Sequence, residues 1–175
     1  RTGSRANLAP IADKITFIEG SILDREILKK SMAGVTYVLH EAAIPSVPES
    51  VEHPRETHEV NVAGTLAVFE AEKEAGVKRV VFASSCAVYG DSPIVPKVET
   101  MNVAPLSPYA TEKVTDELYG ALFSSLYGLE TVGLRYFNVF GPRQDPHSEY
   151  SGVISKFITQ AQKNESITIY GDGEQ

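Results

Sequence analysis

Val35-Thr36-Tyr37-Val38-Leu39-His40 and Arg79-Val80-Val81-Phe82-Ala83-Ser84-Ser85 are short, β-branched and almost unbroken in apolar character. Such runs predict strands covered on both faces, because a strand with one wet face alternates instead. Between them Val60, Ala63, Leu66 or Ala67, and Phe69 or Glu70 recur at helical spacing from Glu56 to Ala75, and Gly76 closes that helix. The same alternation extends in both directions. Ile15-Thr16-Phe17-Ile18-Glu19 reads as a short strand, followed by a helix that Asp24 caps, that carries Ile27, Leu28 and Met32, and that Gly34 stops. A helix from about Tyr109 to Tyr127 ends at Gly128, Thr131 to Phe137 is another strand, Val153 to Gln162 another helix, and Ile167 to Tyr170 a last short strand. Prolines 45, 48 and 54, and then 93, 96, 105 and 108, mark the two irregular segments.

Strands alternating with helices of more than about ten residues imply right-handed crossovers and a parallel sheet, the doubly wound α/β class. Ligands of such sheets bind outside the carboxyl ends of the strands, where Ala42-Ala43, Ser84-Ser85 and Asn138 fall.

Composition narrows the function. With 175 residues, 42% hydrophobic and 22% charged, the chain suits one soluble globular domain. Its apolar runs stay far below the roughly 20 residues a membrane-spanning helix needs. Residues 1 to 20 lack the continuous apolar stretch of a secretory signal, which makes a cytoplasmic location the default expectation. A net charge of −7 argues against a nucleic-acid surface. Cys86 is the single cysteine and the four histidines are scattered, so neither a disulfide framework nor a metal site is expected.

Tyr109 and Lys113 share one helix face, four residues apart. A phenol becomes a useful base near neutrality only when a nearby cation favours its phenolate, and Lys113 is such a cation. Ser84-Ser85 ends a buried strand, and its hydroxyls either bond backbone or meet the phenol above the sheet. Asn61 is a poor helix former in a helical pattern, so it either bonds across to a loop or costs stability for a purpose. A turn accounts for Asn138 and Arg143 without a ligand.

Five motifs in order carry a resemblance. They are His40-Glu41-Ala42-Ala43, Asn61-Val62-Ala63-Gly64-Thr65, Ser84-Ser85-Cys86-Ala87-Val88-Tyr89-Gly90, Ser107-Pro108-Tyr109-Ala110-Thr111-Glu112-Lys113, and Leu134-Arg135-Tyr136-Phe137-Asn138-Val139-Phe140-Gly141-Pro142-Arg143-Gln144. Together they resemble the NAD-dependent epimerases and dehydratases of the extended short-chain dehydrogenase/reductase superfamily. Gly90-Asp91-Ser92-Pro93, Pro96-Lys97-Val98-Glu99 and Arg143-Gln144-Asp145-Pro146 are most similar to the UDP-N-acetylglucosamine/UDP-glucose 4-epimerase group.

That resemblance implies a Rossmann-like fold, NAD as cofactor and inversion at C4 of a UDP-hexose through a 4-keto intermediate. It makes Tyr109 the base for the sugar 4-hydroxyl while hydride leaves C4. Lys113 would lower the phenol's pKa and hold the nicotinamide ribose, and Ser85 would bond the same sugar oxygen. Ser21, Ile22, Ala42, Ala43, Asn61 and Ser84, with Tyr109 and Lys113, become the cofactor contacts. Asn138, Val153 and Tyr170, with Ser85 and Tyr109, become the substrate contacts. Related 4,6-dehydratases carry an Asp-Glu pair directly after the catalytic Ser/Thr; Cys86-Ala87 stands there, which favours epimerisation over elimination. UDP-glucuronate epimerases and decarboxylases, or another nucleotide-sugar dehydratase, remain alternatives, as does a non-catalytic nucleotide-binding protein of the same fold. A homodimer formed through the helices at about 56 to 75 and 109 to 127 is also implied.

Two departures matter. No Gly-x-x-Gly-x-x-Gly turn is present, and Arg1 to Leu8 looks like the segment after the family's second strand. The expectation is therefore an internal fragment, truncated at both ends, that binds NAD poorly and is inactive alone. Residues 1–140 would be a partial NAD-binding domain lacking its first βαβ unit, and 141–175 the start of the substrate domain. Ser21 stands where relatives usually carry an Asp that bonds the adenine, which would weaken adenine recognition.

Overall fold

In the computed structural model, residues 3–144, 152–169 and 171–173 are described. They form two compact units, one of Ile18–Phe137 and one joining Arg1–Phe17 to Asn138–Gln175.

The larger unit is a three-stranded parallel sheet of β1 (Tyr37–His40), β2 (Arg79–Ser85) and β3 (Glu130–Tyr136), in the order β1-β2-β3. Helix α1 (Arg25–Met32) precedes β1, and the Asp24 carboxylate caps it by accepting from the N–H groups of Glu26 and Ile27. The β1–β2 crossover holds α2 (Val47–Glu52), α3 (Pro54–His58), a π turn (Glu59–Ala63) and α4 (Gly64–Ala75). The β2–β3 crossover holds a 3₁₀ turn (Cys86–Tyr89) and the 20-residue α5 (Pro108–Tyr127). Gly76 and Gly128 end α4 and α5 at φ 71°, a left-handed conformation that side chains with a Cβ rarely adopt.

Two right-handed crossovers between strands taken in sequence order place α4 and α5 side by side on one face. There Phe82 of β2 meets Phe69 of α4 edge-on, with centroids 5.4 Å apart, and Phe69 is 5.4 Å from Phe123 of α5. Room for the Phe82 ring comes from Gly133 and Gly120: a Cβ on either would lie 2.8 and 3.0 Å from ring carbons. Burying one such Phe contributes about 1.5–3 kcal/mol. A second cluster of Leu28, Met32, Val68 and Ala71 seats α1 on α4.

The strand patterns predict cover on both faces, yet Tyr37 and Leu39 are 66% and 74% exposed. All helices of this unit that touch the sheet lie on the other side. The predicted helix 56–75 is continuous but not regular. Its expected inward positions, Val60 and Ala63, are displaced by one, since Asn61, Val62, Gly64 and Thr65 are buried and Ala63 is exposed. The π turn causes the displacement, because it adds a residue to the coil.

In the smaller unit, Ser4 caps a 3₁₀ helix (Arg5–Lys14) and α6 spans Val153–Gln162. Arg143, at φ 71°, donates from Nη1 to the Asn7 carbonyl at 2.9 Å. Neither Ile15–Glu19 nor residues 167–169 form the predicted strands, because no neighbouring strand among the described residues supplies a ladder. Tyr170, Asp145-Pro146 and His147 lie outside the described residues. Among the described residues no helix is long and apolar enough to cross a membrane.

Candidate active site

Ser107 begins α5, its hydroxyl accepting from the Ala110 N–H at 3.1 Å, with Pro108 in the first turn. The next residue is Tyr109, whose N–H donates to Ser50 Oγ at 3.0 Å, so α2 fixes the start of α5. Ser85 ends β2, and its Oγ accepts from the Ala87 N–H at 3.2 Å as the cap of the following turn. The Ser85 side chain faces the Tyr109 phenol closely enough to favour its ionised form. One helical turn on, Lys113 Nζ sits 5.9 Å from the Tyr109 ring centroid. The sequence's three candidates for catalysis are thus brought together, Tyr109 9% exposed and Lys113 3%.

Around them are buried groups that sequence reasoning passed over. Lys113 Nζ pairs with Asp116 Oδ2 at 3.3 Å, and Asp116 is 1% exposed. His40, at the end of β1, has Nε2 3.0 Å from Thr65 Oγ1. Burial, and then the charge of Lys113, lower the His40 pKa to about 4, so this imidazole is neutral at pH 7. The phenol departs from expectation. Burial pushes the Tyr109 pKa up, interactions with Cys86, Asp116 and Glu112 add to the rise, and Ser85 opposes it. The expected lowering is outweighed in this state, burial being the largest influence on the phenol.

Asn61 lies in the π turn, fully buried. Its Oδ1 accepts from the Ile44 N–H at 2.7 Å, and Nδ2 donates to the Ile44 carbonyl at 3.1 Å and to Glu112 Oε2 at 2.7 Å. Thr57 donates to the other Glu112 oxygen at 2.8 Å. Both Asn61 donors are committed, so its influence on a ligand runs through the loop of Ala42, Ala43 and Ile44 that it clamps. Ser84 is turned inward and donates to Glu117 Oε1 at 2.5 Å. Arg135 of β3 grips the same carboxylate with two bonds of 2.8 Å and lies over the Tyr89 ring at 4.9 Å. Burial alone would raise the Glu117 pKa, but the bonds from Arg135 and Ser84 hold it low. This ion pair ties α5 to β3 beneath the catalytic end.

Ser21 is exposed and turns back to accept from the Leu23 N–H at 3.2 Å, while Ile22 packs on the α1–α4 cluster. Asn138 and Val153 belong to the smaller unit, where Asn138 lies beside Gly152, the residue that caps α6, and Val153 opens that helix. Tyr170, an expected substrate contact, is outside the described residues. A sequence clue to the buried acids existed: Asp116 follows Lys113 by three residues, on the face that Gly120 and Phe123 continue.

The donor set suits a ribose. Lys113 has three N–H donors, of which the pair with Asp116 engages one, and the Tyr109 hydroxyl lies on the same face.

A parallel α/β sheet with a hydroxyl, a phenol and an ammonium gathered at the carboxyl end of its central strand has the layout of a Rossmann-like protein. The chain belongs to the NAD dependent epimerase/dehydratase family, whose model matches residues 1–175. It is 46% identical to the solved UDP-N-acetylglucosamine 4-epimerase from Methanobrevibacter ruminantium in complex with UDP-N-acetylmuramic acid, with a TM-score of 0.93 over 99% of this chain and 56% of that one. The solved UDP-glucose 4-epimerase of Thermus thermophilus in complex with NAD is 39% identical, with a TM-score of 0.85 over 96% of this chain and 54% of that one. The UDP-glucose 4-epimerase of Mycolicibacterium smegmatis is 39% identical over 98% of this chain and 56% of that protein. The chain thus spans about half the length of the relatives it matches.

Proposed function

We propose that the protein catalyses NAD-dependent inversion at C4 of a UDP-hexose, either UDP-N-acetylglucosamine/UDP-N-acetylgalactosamine or UDP-glucose/UDP-galactose. The observation that carries this reading is the meeting of Ser85, at the end of β2, with the Tyr109 phenol, one helical turn from Lys113.

In this reading Tyr109 takes the proton of the sugar 4-hydroxyl and later returns it, and Ser85 bonds the same oxygen. Lys113 holds the ribose of the cofactor, with the loop at Ala42 and Ala43, residues Ser21 and Ile22, and the Asn61 and Ser84 region completing its contacts. Bound NAD supplies the reversible acceptor for the hydrogen of C4. Asn138, Val153 and Tyr170 orient the nucleotide sugar. No carboxylate follows Ser85, where Cys86 and Ala87 stand, and that favours epimerisation over elimination. Residues 1–140 then belong to the cofactor-binding domain and 141–175 open the substrate domain.

The protein acts as a homodimer in this reading, supported by Leu118, Leu122 and Leu126, a stripe along α5 that is 61%, 50% and 66% exposed. A cytoplasmic location belongs to the same reading, in keeping with the free thiol of Cys86.

The test is incubation of the full-length protein with UDP-N-acetylglucosamine, UDP-glucose and UDP-glucuronate, followed by separation of products. Absence of a C4 epimer from all three refutes the assignment, and turnover of the glucuronate alone replaces it with a uronate epimerase. Tyr109→Phe should lower turnover by at least about 10²-fold, within the usual span for a general base, with NAD binding nearly intact. Retained activity would remove Tyr109 from its role.

A further inference from the structure

We propose that Asp116 is a positioning residue of the Tyr109/Lys113 pair: its buried carboxylate holds the Lys113 ammonium and governs how much of that positive charge reaches the phenol. This rests on the reading of Tyr109 as the proton-accepting group. Asp116 lies on the inward face of α5, with Oδ2 3.3 Å from Lys113 Nζ and the two side chains 1% and 3% exposed. Only that oxygen is engaged. Oδ1 is buried with no hydrogen-bond partner among the described residues. A half-satisfied buried carboxylate is a poor structural device, since an apolar side chain of similar volume would pack there at lower cost. Its placement makes sense as electrostatics, because the cation that must act on Tyr109 stands between the two.

When Asp116 is ionised its own negative charge near the phenol helps keep the proton on Tyr109, and by pairing with Lys113 it also offsets the ammonium. When Asp116 takes a proton, the ammonium is no longer offset and favours the phenolate. Burial raises the Asp116 pKa to about 7 against the opposing pull of Lys113, so the change between these states falls near neutrality. Other ionisable and polar groups face the pair from each element packed against it. On α5, Glu112 is bonded by Asn61 and Thr57, and Glu117 is gripped by Arg135. From β1, His40 is neutral at pH 7. From α4, Glu72 is held protonated at pH 7 by burial, with a pKa of about 8. The turn after β2 presents the Cys86 thiol, and α2 the uncharged Ser50.

The experiment is a titration of the Tyr109 phenolate by near-ultraviolet difference absorption in the full-length NAD-loaded protein, taking the Tyr109→Phe variant as blank. It is run for wild type, Asp116→Asn and Asp116→Ser, the second in case the first does not fold. The pH profile of kcat with the turned-over UDP-sugar is measured alongside. Removal of the carboxylate should move the phenolate titration to lower pH, and carry the acid limb of the kcat profile with it. Between pH 7 and the plateau, kcat should rise several-fold while KM is unchanged. Asp116→Glu should restore the wild-type titration. A phenolate titration that stays in place, or moves to higher pH, overturns the proposal, even if melting temperature falls. The absorption titration needs no turnover, so a wild type that converts none of the UDP-sugars refutes the proposed function and leaves this test standing.

Discussion

Asn61 joins three segments that are distant in sequence, so its replacement by Ala tests whether the crossover loop is held as described. The variant loses two neutral bonds with Ile44, each about 1 kcal/mol net, and one to the Glu112 carboxylate, about 2 kcal/mol. It also strands the Ile44 N–H, in a residue only 8% exposed. The sum is about 4 kcal/mol of folding free energy, a large part of the 5–15 kcal/mol typical of a domain. Denaturant unfolding of the full-length protein, with the midpoint and slope fitted together, reads the loss directly. Asn61→Asp sharpens the test by setting a second carboxyl 2.7 Å from Glu112 Oε2. Two carboxyls at that distance share a proton, which raises the folded-state pKa of the pair. The variant's stability is therefore present at low pH and lost as pH rises through that raised pKa. A cost to Asn61→Ala under about 1 kcal/mol, or an Asn61→Asp deficit that does not shrink on acidification, would refute the clamp.

Glu72 is fully buried, and neither carboxylate oxygen has a hydrogen-bond partner among the described residues; burial raises its pKa to about 8. Because the folded pKa exceeds the unfolded one, the favourable contribution is complete below pH 4.5 and is lost as pH rises toward 8. Glu72→Gln should therefore stabilise the protein at pH 7, by up to about 3 kcal/mol, and the gain should vanish near pH 4 in thermal melts. The proposed homodimer is tested by analytical ultracentrifugation: the wild type should sediment as a dimer and Leu122→Asp as a folded monomer, since Leu122 is half exposed in the single chain. A dimer that survives the charge would exclude α5 from the interface.

The central strands and α5 were legible because each signal is local: an apolar β-branched run, a Ser-Pro start, and a glycine where the chain must turn left-handed. Ile15–Glu19 and Ile167–Tyr170 have the same local signature. A strand, however, is completed by its neighbour, and periodicity in one segment says nothing about whether a neighbour is there. The juxtaposition of Ser85, Tyr109 and Lys113 was legible through spacing and resemblance, whereas its electrostatic state was not. Tyr109 beside Lys113 reads as a phenol with a lowered pKa until its own burial and the nearby Asp116 are seen. On a helix an acid at i+3 from a lysine is ordinarily a solvent-facing pair, and only packing against the sheet turns this one inward.

The π turn at Glu59–Ala63 also accounts for an ambiguity in the sequence. Each residue of an α-helix advances the wheel by about 100°, so one extra residue in the coil rotates everything after it by that angle. Leu66 or Ala67, and Phe69 or Glu70, read as equally good continuations of the stripe because the stripe changes phase there. The turn is therefore a phase shifter, which lets Asn61 point at the Ile44 loop while Phe69, two turns later, points at Phe82. Deleting one residue from it would restore a regular helix and swing Phe69 out of the aromatic cluster, although every side chain of the core would still be present in the sequence.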